Sequence, residues 1–349
     1  MPAVRVAMAQ INPTVGDLAG NSAKILDAAK RAHSQGAQIV LFPELALTGY
    51  PIEDLALSRD FLDASEKALQ GIATSADQIG IGELTLVVGY PGFSDQPSSW
   101  AIGANKAALI SKGKVSDSYS KHHLPNYSVF DEYRVFVPGQ NLLTFELHGL
   151  KFATVICEDI WQSGGPVAQI ASANVDLTLV LNGSPFETSK TDSRLELVQS
   201  LARNLSTAVA YVNLVGGQDD LVFDGDSFVV DESGKQILRA EQFKEDLSIF
   251  DIESKSKVTA VTASADPKAP IEQIWDALVL GLGDYVRKNG FASVVLGLSG
   301  GIDSAVCASI AVDALGPKNV FGVAMPSKYS SEHSLTDARS LAQNTGLVY

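Results

Sequence analysis

From Val4 to about Ile252 the sequence alternates short β-rich apolar runs with helical patterns, and this alternation most narrows the folds open to the chain. "VRVAMAQI", "QIVLFPE", "LTLVVGYP", "KFATVICE", "DLTLVLNGSP", "AVAYVNLVG" and "LSIFDI" read as strands. Helical patterns fit between them: Asn21 to Gln35 stops before Gly36, Leu57 to Gln70 stops before Gly71, and Lys190 to Leu205 follows a Ser-Pro turn. His148-Gly149 and Ser233-Gly234 read as hairpin turns. Strands interleaved with helices predict an α/β layered domain. With 46% hydrophobic residues, the chain can bury large cores.

The segment "ESKSKVTAVTASADPKAP", Glu253 to Pro270, is small, polar and proline-bearing, and reads as a linker. After it, Ile271, Ile274, Trp275, Leu278, Val279 and Leu282 form one helical stripe, opened by Pro270 and closed by Gly290. The expected division is a first domain over 1–252, a linker over 253–270 and a second domain over 271–349. The last of these is shorter than the ~100 to 150 residues usual for a domain, so it reads as incomplete.

A net charge of −14 argues against sequence-independent nucleic-acid binding, which relies on clustered Lys and Arg. Small molecules are the expected partners. Apolar runs such as "LTLVVGY" fall short of the roughly 20 residues that span a bilayer, and "MPAVRVAMAQ" lacks the shape of a signal peptide. The expectation is a cytoplasmic protein with no membrane partner. Two cysteines make neither a disulfide framework nor a structural zinc site.

In "GLSGGIDS", Gly297 to Ser304, a strand passes through a Gly/Ser turn into a helix. Backbone N–H groups and the positive helix end converge there, which suits an oxygen anion. The loop lacks the lysine of G-x-x-x-x-G-K-[ST], and Ser299 replaces the second glycine of G-x-G-x-x-G. "SGGIDS" resembles the pyrophosphate loop of the ATP pyrophosphatase family, whose members adenylate a carbonyl oxygen, release pyrophosphate and admit ammonia. The resemblance implies ATP contacts from Gly297, Leu298, Ser299, Gly300, Gly301, Ile302, Asp303 and Ser304, with Asp303 a Mg²⁺ ligand because hard cations take oxygen donors. Cys307, in the Ala-rich helix that follows, reads as a core residue.

Cys157 ends the apolar run of "KFATVICEDIW". A thiol of pKa about 8.5 needs a base or a nearby cation to act as nucleophile. Glu44 in "LFPELALTGYP" and Lys121 in "YSKHHLPNYSVFDE" also stand at strand ends, as a candidate base and a candidate support for thiolate and oxyanion. Singly, each has a plain reading as a cap, a surface charge or a buried small residue. Together these surroundings resemble the nitrilase superfamily, whose Glu-Lys-Cys triad cleaves carbon–nitrogen bonds on an α-β-β-α sandwich. "PELALTGYP", "KxxLPNYxVFDE", "CEDIW" and "NGSPF" are similar to the glutaminase domain of the glutamine-dependent NAD⁺ synthetases.

That resemblance implies Glu44 as base, Cys157 as nucleophile, Lys121 on the tetrahedral intermediate, the Glu158 backbone N–H as a second oxyanion donor and Glu132 as an auxiliary glutamate. Tyr127, Ser184 and Lys190 would contact glutamine, Lys190 at its α-carboxylate. Ser128 and Gly183 depart from the family's usual glycine and alanine. The glutaminase half would need no cofactor. Joined to the phosphate loop, the implied enzyme uses ATP and Mg²⁺ to amidate deamido-NAD⁺ (nicotinic acid adenine dinucleotide) to NAD⁺, as a homo-oligomer. "NVFGVAMPSKYSSEHSLTDA", Asn319 to Ala338, adds to that likeness.

The fold so implied is a nitrilase-like α-β-β-α sandwich followed by the start of a doubly wound α/β, adenine-nucleotide-hydrolase-like domain. Glutamine hydrolysis without NAD⁺ synthesis is the expectation for these 349 residues. A free-standing amidase or carbamoylase, an amidotransferase with another acceptor, and a non-catalytic ammonia-delivery scaffold stay open. His122 and His123 beside Lys121 also raise a Cys-His mechanism, but neighbours on an extended segment point opposite ways.

Overall fold

Strands and helices alternate along the chain as the pattern predicts, in a computed structural model that describes residues 3–188, 190–325 and 332–349. Within the Asn319 to Ala338 stretch, residues 326–331 lie outside the described residues. The chain divides into two units, Met1–Val215 with Phe223–Pro267, and Gly216–Val222 with Lys268–Tyr349.

Among the described residues, the first unit holds a seven-stranded sheet in the spatial order Lys257–Ala260, Asp246–Ser254, Val4–Gln10, Ile39–Leu41, Thr85–Phe93, Gly103–Ser111, Lys114–Ser120. Its six-stranded partner runs Gln236–Arg239, Phe228–Val230, Ala208–Asn213, Leu177–Asn182, Leu150–Ile156, Leu143–Leu147. The period-two pattern of the first strand shows why the two sheets stack. Val4, Val6 and Met8 enter one core with Phe152, Leu179 and Tyr211 of the other sheet. Ala7 and Ala9 turn the opposite way and meet Ile25, Ala29, Leu69 and Ile72 of the helices Leu18–Ser34 and Arg59–Gln78. Ile170 and Val198, from the helices Gly165–Ala173 and Lys190–Leu205, join the core from the far side. The result is the α-β-β-α sandwich, and each fully buried Leu, Ile, Val or Phe stabilises it by ~1.5–3 kcal/mol.

Several local expectations shift. The helix expected to stop before Gly71 runs from Arg59 to Gln78, capped by Ser58, whose hydroxyl accepts from Phe61 N at 3.3 Å. Gly71 sits in it with open space where a Cβ would be, so it costs the helix only ~1 kcal/mol while Leu69, Ile72, Ala73 and Ala76 continue the buried stripe. The segment expected as a linker, 253–270, contains the edge strand Lys257–Ala260, with Val258 buried and Lys257 and Thr259 exposed. Small polar residues hid a strand too short for its alternation to register. At His148-Gly149 the turn is as expected: φ is +51° and +83°, and Leu147 pairs with Leu150.

In the second unit Val294–Gly297 pairs in parallel with Val320–Val323, joined through the helix Ile302–Leu315. Leu298, Ala308, Ala311, Val320, Ala338 and Ala342 form its core. The helix Pro270–Lys288 opens this unit with Pro270 in its first turn as expected, but the expected stripe is not its buried face: Ile271, Ile274 and Leu278 are exposed, and Gln273, Ala277, Gly283, Asp284 and Val286 are buried instead. Residues 216–222, expected in the first domain, belong here, where Gly217 N donates to Asp284 Oδ2 at 2.8 Å. Among the described residues no helix is long and apolar enough to cross a membrane.

Candidate active site

Four strand ends of the first unit deliver the residues of interest. Ile39–Leu41 leads into Glu44, Lys114–Ser120 into Lys121, Leu150–Ile156 into Cys157 and Leu177–Asn182 into Gly183. Ile156 lies beside Leu181 in parallel register, so the last two leave their sheet at the same edge. Gly89 lets the Glu44 turn approach its neighbouring strand, since a Cβ there would lie 2.5 Å from Leu45 N and 2.8 Å from the Glu44 carbonyl carbon.

Lys121 Nζ donates to Glu44 Oε1 at 2.6 Å and to Glu132 Oε1 at 2.9 Å. Glu44 Oε1 also accepts from Asn105 Nδ2 at 2.7 Å, and its Oε2 accepts from Gly183 N at 2.8 Å. Glu132 Oε1 accepts from the Tyr50 hydroxyl at 2.8 Å. All of these side chains are buried. Burial opposes the Lys121 charge, but Glu132 and Glu44 outweigh it and hold its pKa well above the usual lysine value. Burial also pushes the Glu132 carboxyl up, with Lys121 opposing.

Cys157 leaves its strand at φ +41°, a left-handed conformation strained for a residue with a side chain, at the first position of the 3-10 turn Cys157–Ile160. Burial pushes its thiol well above the ordinary range, Glu44 adds to the rise, and Lys121 opposes it. The Glu158 N–H lies in the first turn of the same short helix, where backbone donors lack intrahelical acceptors.

The other expected contacts separate. The half-exposed Tyr127 donates to Glu158 Oε2 at 2.7 Å. Lys190 pairs with Glu187 at 3.1 Å and lies 5.7 Å over the Phe130 ring, which in turn packs edge-on against Tyr127. Tyr127, Phe130, Glu158 and Lys190 are thus linked by contacts. Ser184 is buried: its Oγ accepts from Arg194 Nε at 3.2 Å and its N–H donates to Asn213 Oδ1 at 2.9 Å. His122 and His123 stack edge-to-face at 4.5 Å, and His122 Nδ1 bonds the Gly139 carbonyl oxygen at 2.7 Å. Among the described residues no hydrogen bond joins either ring to Cys157.

Tyr50, Asn105, Arg194 and Asp159 were not singled out from the sequence. Asn105 had a signal, a polar side chain inside the apolar run "IGANKAALI". Arg194 sits in an ordinary amphipathic helix, and nothing local marks it for a fully buried pair with Asp224 at 2.8 Å.

In the second unit, Gly301 caps the helix Ile302–Leu315. Gly300 has φ +77°, and a Cβ there would lie 2.7 Å from Ser334 Cα, so the loop requires glycine. Ser299 Oγ accepts from Gly301 N at 3.2 Å and lies 3.1 Å from Ser304 Oγ, while buried Leu298 anchors the turn. Asp303 is exposed in the first helical turn. Among the described residues no group of three or more His, Cys, Asp or Glu side chains is placed to hold a metal ion. Cys307 is exposed, against the expected core position. Apolar residues lie on every side of its helix, so periodicity could not tell which face Ala308 and Ala311 would bury.

A family model described as carbon-nitrogen hydrolase matches residues 5–260, and one described as NAD synthase matches residues 274–349. A glutamine-dependent NAD(+) synthetase of Acinetobacter baylyi is 40% identical over 351 residues, which take in 100% of this chain and 62% of that protein. The solved structure of glutamine-dependent NAD⁺ synthetase from Acinetobacter baumannii in complex with adenosine diphosphate superposes with a TM-score of 0.91 at 40% identity, over 99% of this chain and 64% of that one. A variant of the amidase from Nesterenkonia sp. AN1, showing covalent addition of the acetamide moiety of fluoroacetamide at the active site cysteine, superposes with a TM-score of 0.62 at 28% identity, over 72% of this chain and 90% of that one. The chain spans under two thirds of the length of the two synthetases.

Proposed function

Because the chain belongs to the carbon–nitrogen hydrolase family, we propose that Cys157, Glu44 and Lys121 cleave the side-chain amide of glutamine and that the ammonia feeds an ATP-dependent amidation of deamido-NAD⁺ to NAD⁺. The observation that carries the first half is the buried Lys121, held at 2.6 Å from Glu44 and 2.9 Å from Glu132, with the Cys157 thiol in the field of all three.

The chemistry follows from that placement. As Sγ of Cys157 bonds to the carboxamide carbon, Glu44 takes the thiol proton, and negative charge moves to the carbonyl oxygen. Lys121 Nζ and the Glu158 N–H stabilise that oxygen more than they stabilise the neutral amide, which lowers the barrier. The carbon–nitrogen bond breaks as Glu44 passes the proton to nitrogen, and ammonia leaves a thioester. Water, deprotonated by Glu44, then releases glutamate and restores the thiol. Glu132 and Asn105 hold the Lys121 and Glu44 side chains between them.

Glutamine is favoured as substrate by the names of the relatives at 40% identity and by the polar groups beside the nucleophile. Lys190 suits the α-carboxylate, Tyr127 and Glu158 the amino end, and Ser184 the turn that carries Gly183 onto Glu44. In the second unit, the loop Gly297–Ser304 would take ATP phosphates at a helix N-terminus. Asp303 fits a magnesium ion brought by the nucleotide, since Mg²⁺ takes one or two carboxylates together with phosphate oxygens.

A glutamine-mimicking electrophile followed by peptide mass mapping tests the first half. Cys157 is expected to be alkylated, and glutamine to slow that reaction. Cys307 is exposed, so its labelling is expected to ignore glutamine. Alkylation confined to Cys307, or a Cys157 reaction indifferent to glutamine, contradicts the reading.

A further inference from the structure

The cysteine chemistry makes no direct use of Asp159, although this carboxylate is fully buried two residues beyond Cys157. It accepts four hydrogen bonds. Oδ1 takes the backbone N–H groups of His122 at 3.1 Å and His123 at 2.8 Å, and Oδ2 takes the Tyr119 hydroxyl at 2.7 Å and the Ile156 N–H at 3.0 Å. An ionised carboxylate offers about four lone-pair sites and no donor, so the set is filled. An amide in its place would turn N–H groups toward groups that themselves donate.

The origin of the four donors gives the arrangement its meaning. Tyr119, His122 and His123 bracket Lys121 on one sheet, and Ile156 immediately precedes Cys157 on the other. We propose that Asp159 is a positioning residue, fastening the strand end that carries the oxyanion-stabilising lysine to the strand end that carries the nucleophile. It touches neither substrate nor reacting atoms and acts only through the main chain on either side. Burial raises the Asp159 carboxyl pKa, and the bonds from His123, Tyr119 and Ile156 oppose that rise. The inference rests on Cys157 being the nucleophile, and its effect belongs in turnover, since the separation of Lys121 from the oxyanion matters most in the transition state.

The test uses the whole chain with Asp159→Asn, Tyr119→Phe and the double variant, each assayed for glutamine hydrolysis per alkylatable Cys157. Asp159→Asn is expected to lower kcat by ~10²-fold, the cost of a misplacement near 1 Å, with KM little changed. Tyr119→Phe deletes one donor and is expected to lower kcat by ~10-fold with KM again little changed. Because both remove the same bond, the Tyr119→Phe loss should largely vanish in the Asp159→Asn background. Losses that multiply, or a raised KM at unchanged kcat, overturn the proposal. If Asp159→Asn does not fold, the KM-against-kcat split of Tyr119→Phe decides alone. A wild-type Cys157 indifferent to glutamine would instead sink the amidase reading itself.

Discussion

Cys157→Ala is expected to abolish glutamine hydrolysis, with kcat falling by ~10⁴-fold or more, because the reaction loses its only route through a covalent intermediate. Glu44, Lys121 and the Glu158 N–H would remain, but without the sulfur they face no bonded acyl group. Removing one sulfur atom from a buried position leaves a small void beside Lys121 and Glu44, so thermal unfolding should stay cooperative with only a modest fall in Tm. Ammonia release measured on a chain of wild-type ellipticity checks this. Residual turnover within tenfold of wild type would mean that water attacks the amide directly.

Glu44→Gln has the second largest expected effect, a fall in kcat of ~10³-fold, within the range for a lost general base. Burial and Glu44 itself raise the pKa of the Cys157 thiol, so in the proposed mechanism proton removal accompanies attack. Glutamine keeps the size of the side chain and its oxygen can still accept from Lys121 and Asn105, but its amide nitrogen then faces the Gly183 N–H and it takes no proton. The comparison with Lys121→Ala is instructive. That change leaves Glu44 and Glu132 buried without their shared cation, a loss on the order of 3–5 kcal/mol in stability that would obscure its effect on chemistry. In Glu44→Gln the lysine keeps Glu132, so the fold should survive. Steady-state kinetics with a thermal melt separate the two: an unchanged kcat in a folded Glu44→Gln chain removes Glu44 from the proton path.

Glu44 and Cys157 each follow an apolar run, and a charged or nucleophilic residue at such a strand end has a local signature, whereas Lys121 follows the polar strand "KVSDSYS" and was picked out by the motif around it. Their partners were not. Asn105 reaches Glu44 across 61 residues and the Gly183 N–H reaches it across 139, distances at which sequence spacing carries no information about contact. Ser184 shows the same limit, since its turn could be seen but Arg194 filling that turn from a later helix could not. The order of strands and helices made a layered α/β domain legible, whereas the sandwich came from the resemblance to the nitrilase superfamily; the structure shows its physical basis in Val6 and Met8 facing the other sheet and Ala7 and Ala9 facing the helices. Where the local pattern is uniform, as around Cys307, or too short, as at Lys257–Ala260, the sequence pointed the wrong way.

The central claim is a thioester between Cys157 and the γ-carbonyl of glutamine. Wild-type chain mixed with glutamine and quenched in acid through the first turnover, then digested and mapped by mass, tests it most directly. The expected result is a γ-glutamyl adduct on the peptide containing Cys157, absent from Cys157→Ala and appearing before glutamate accumulates. Glutamate released with no adduct on that peptide at any time, or with the adduct on Cys307, would contradict it.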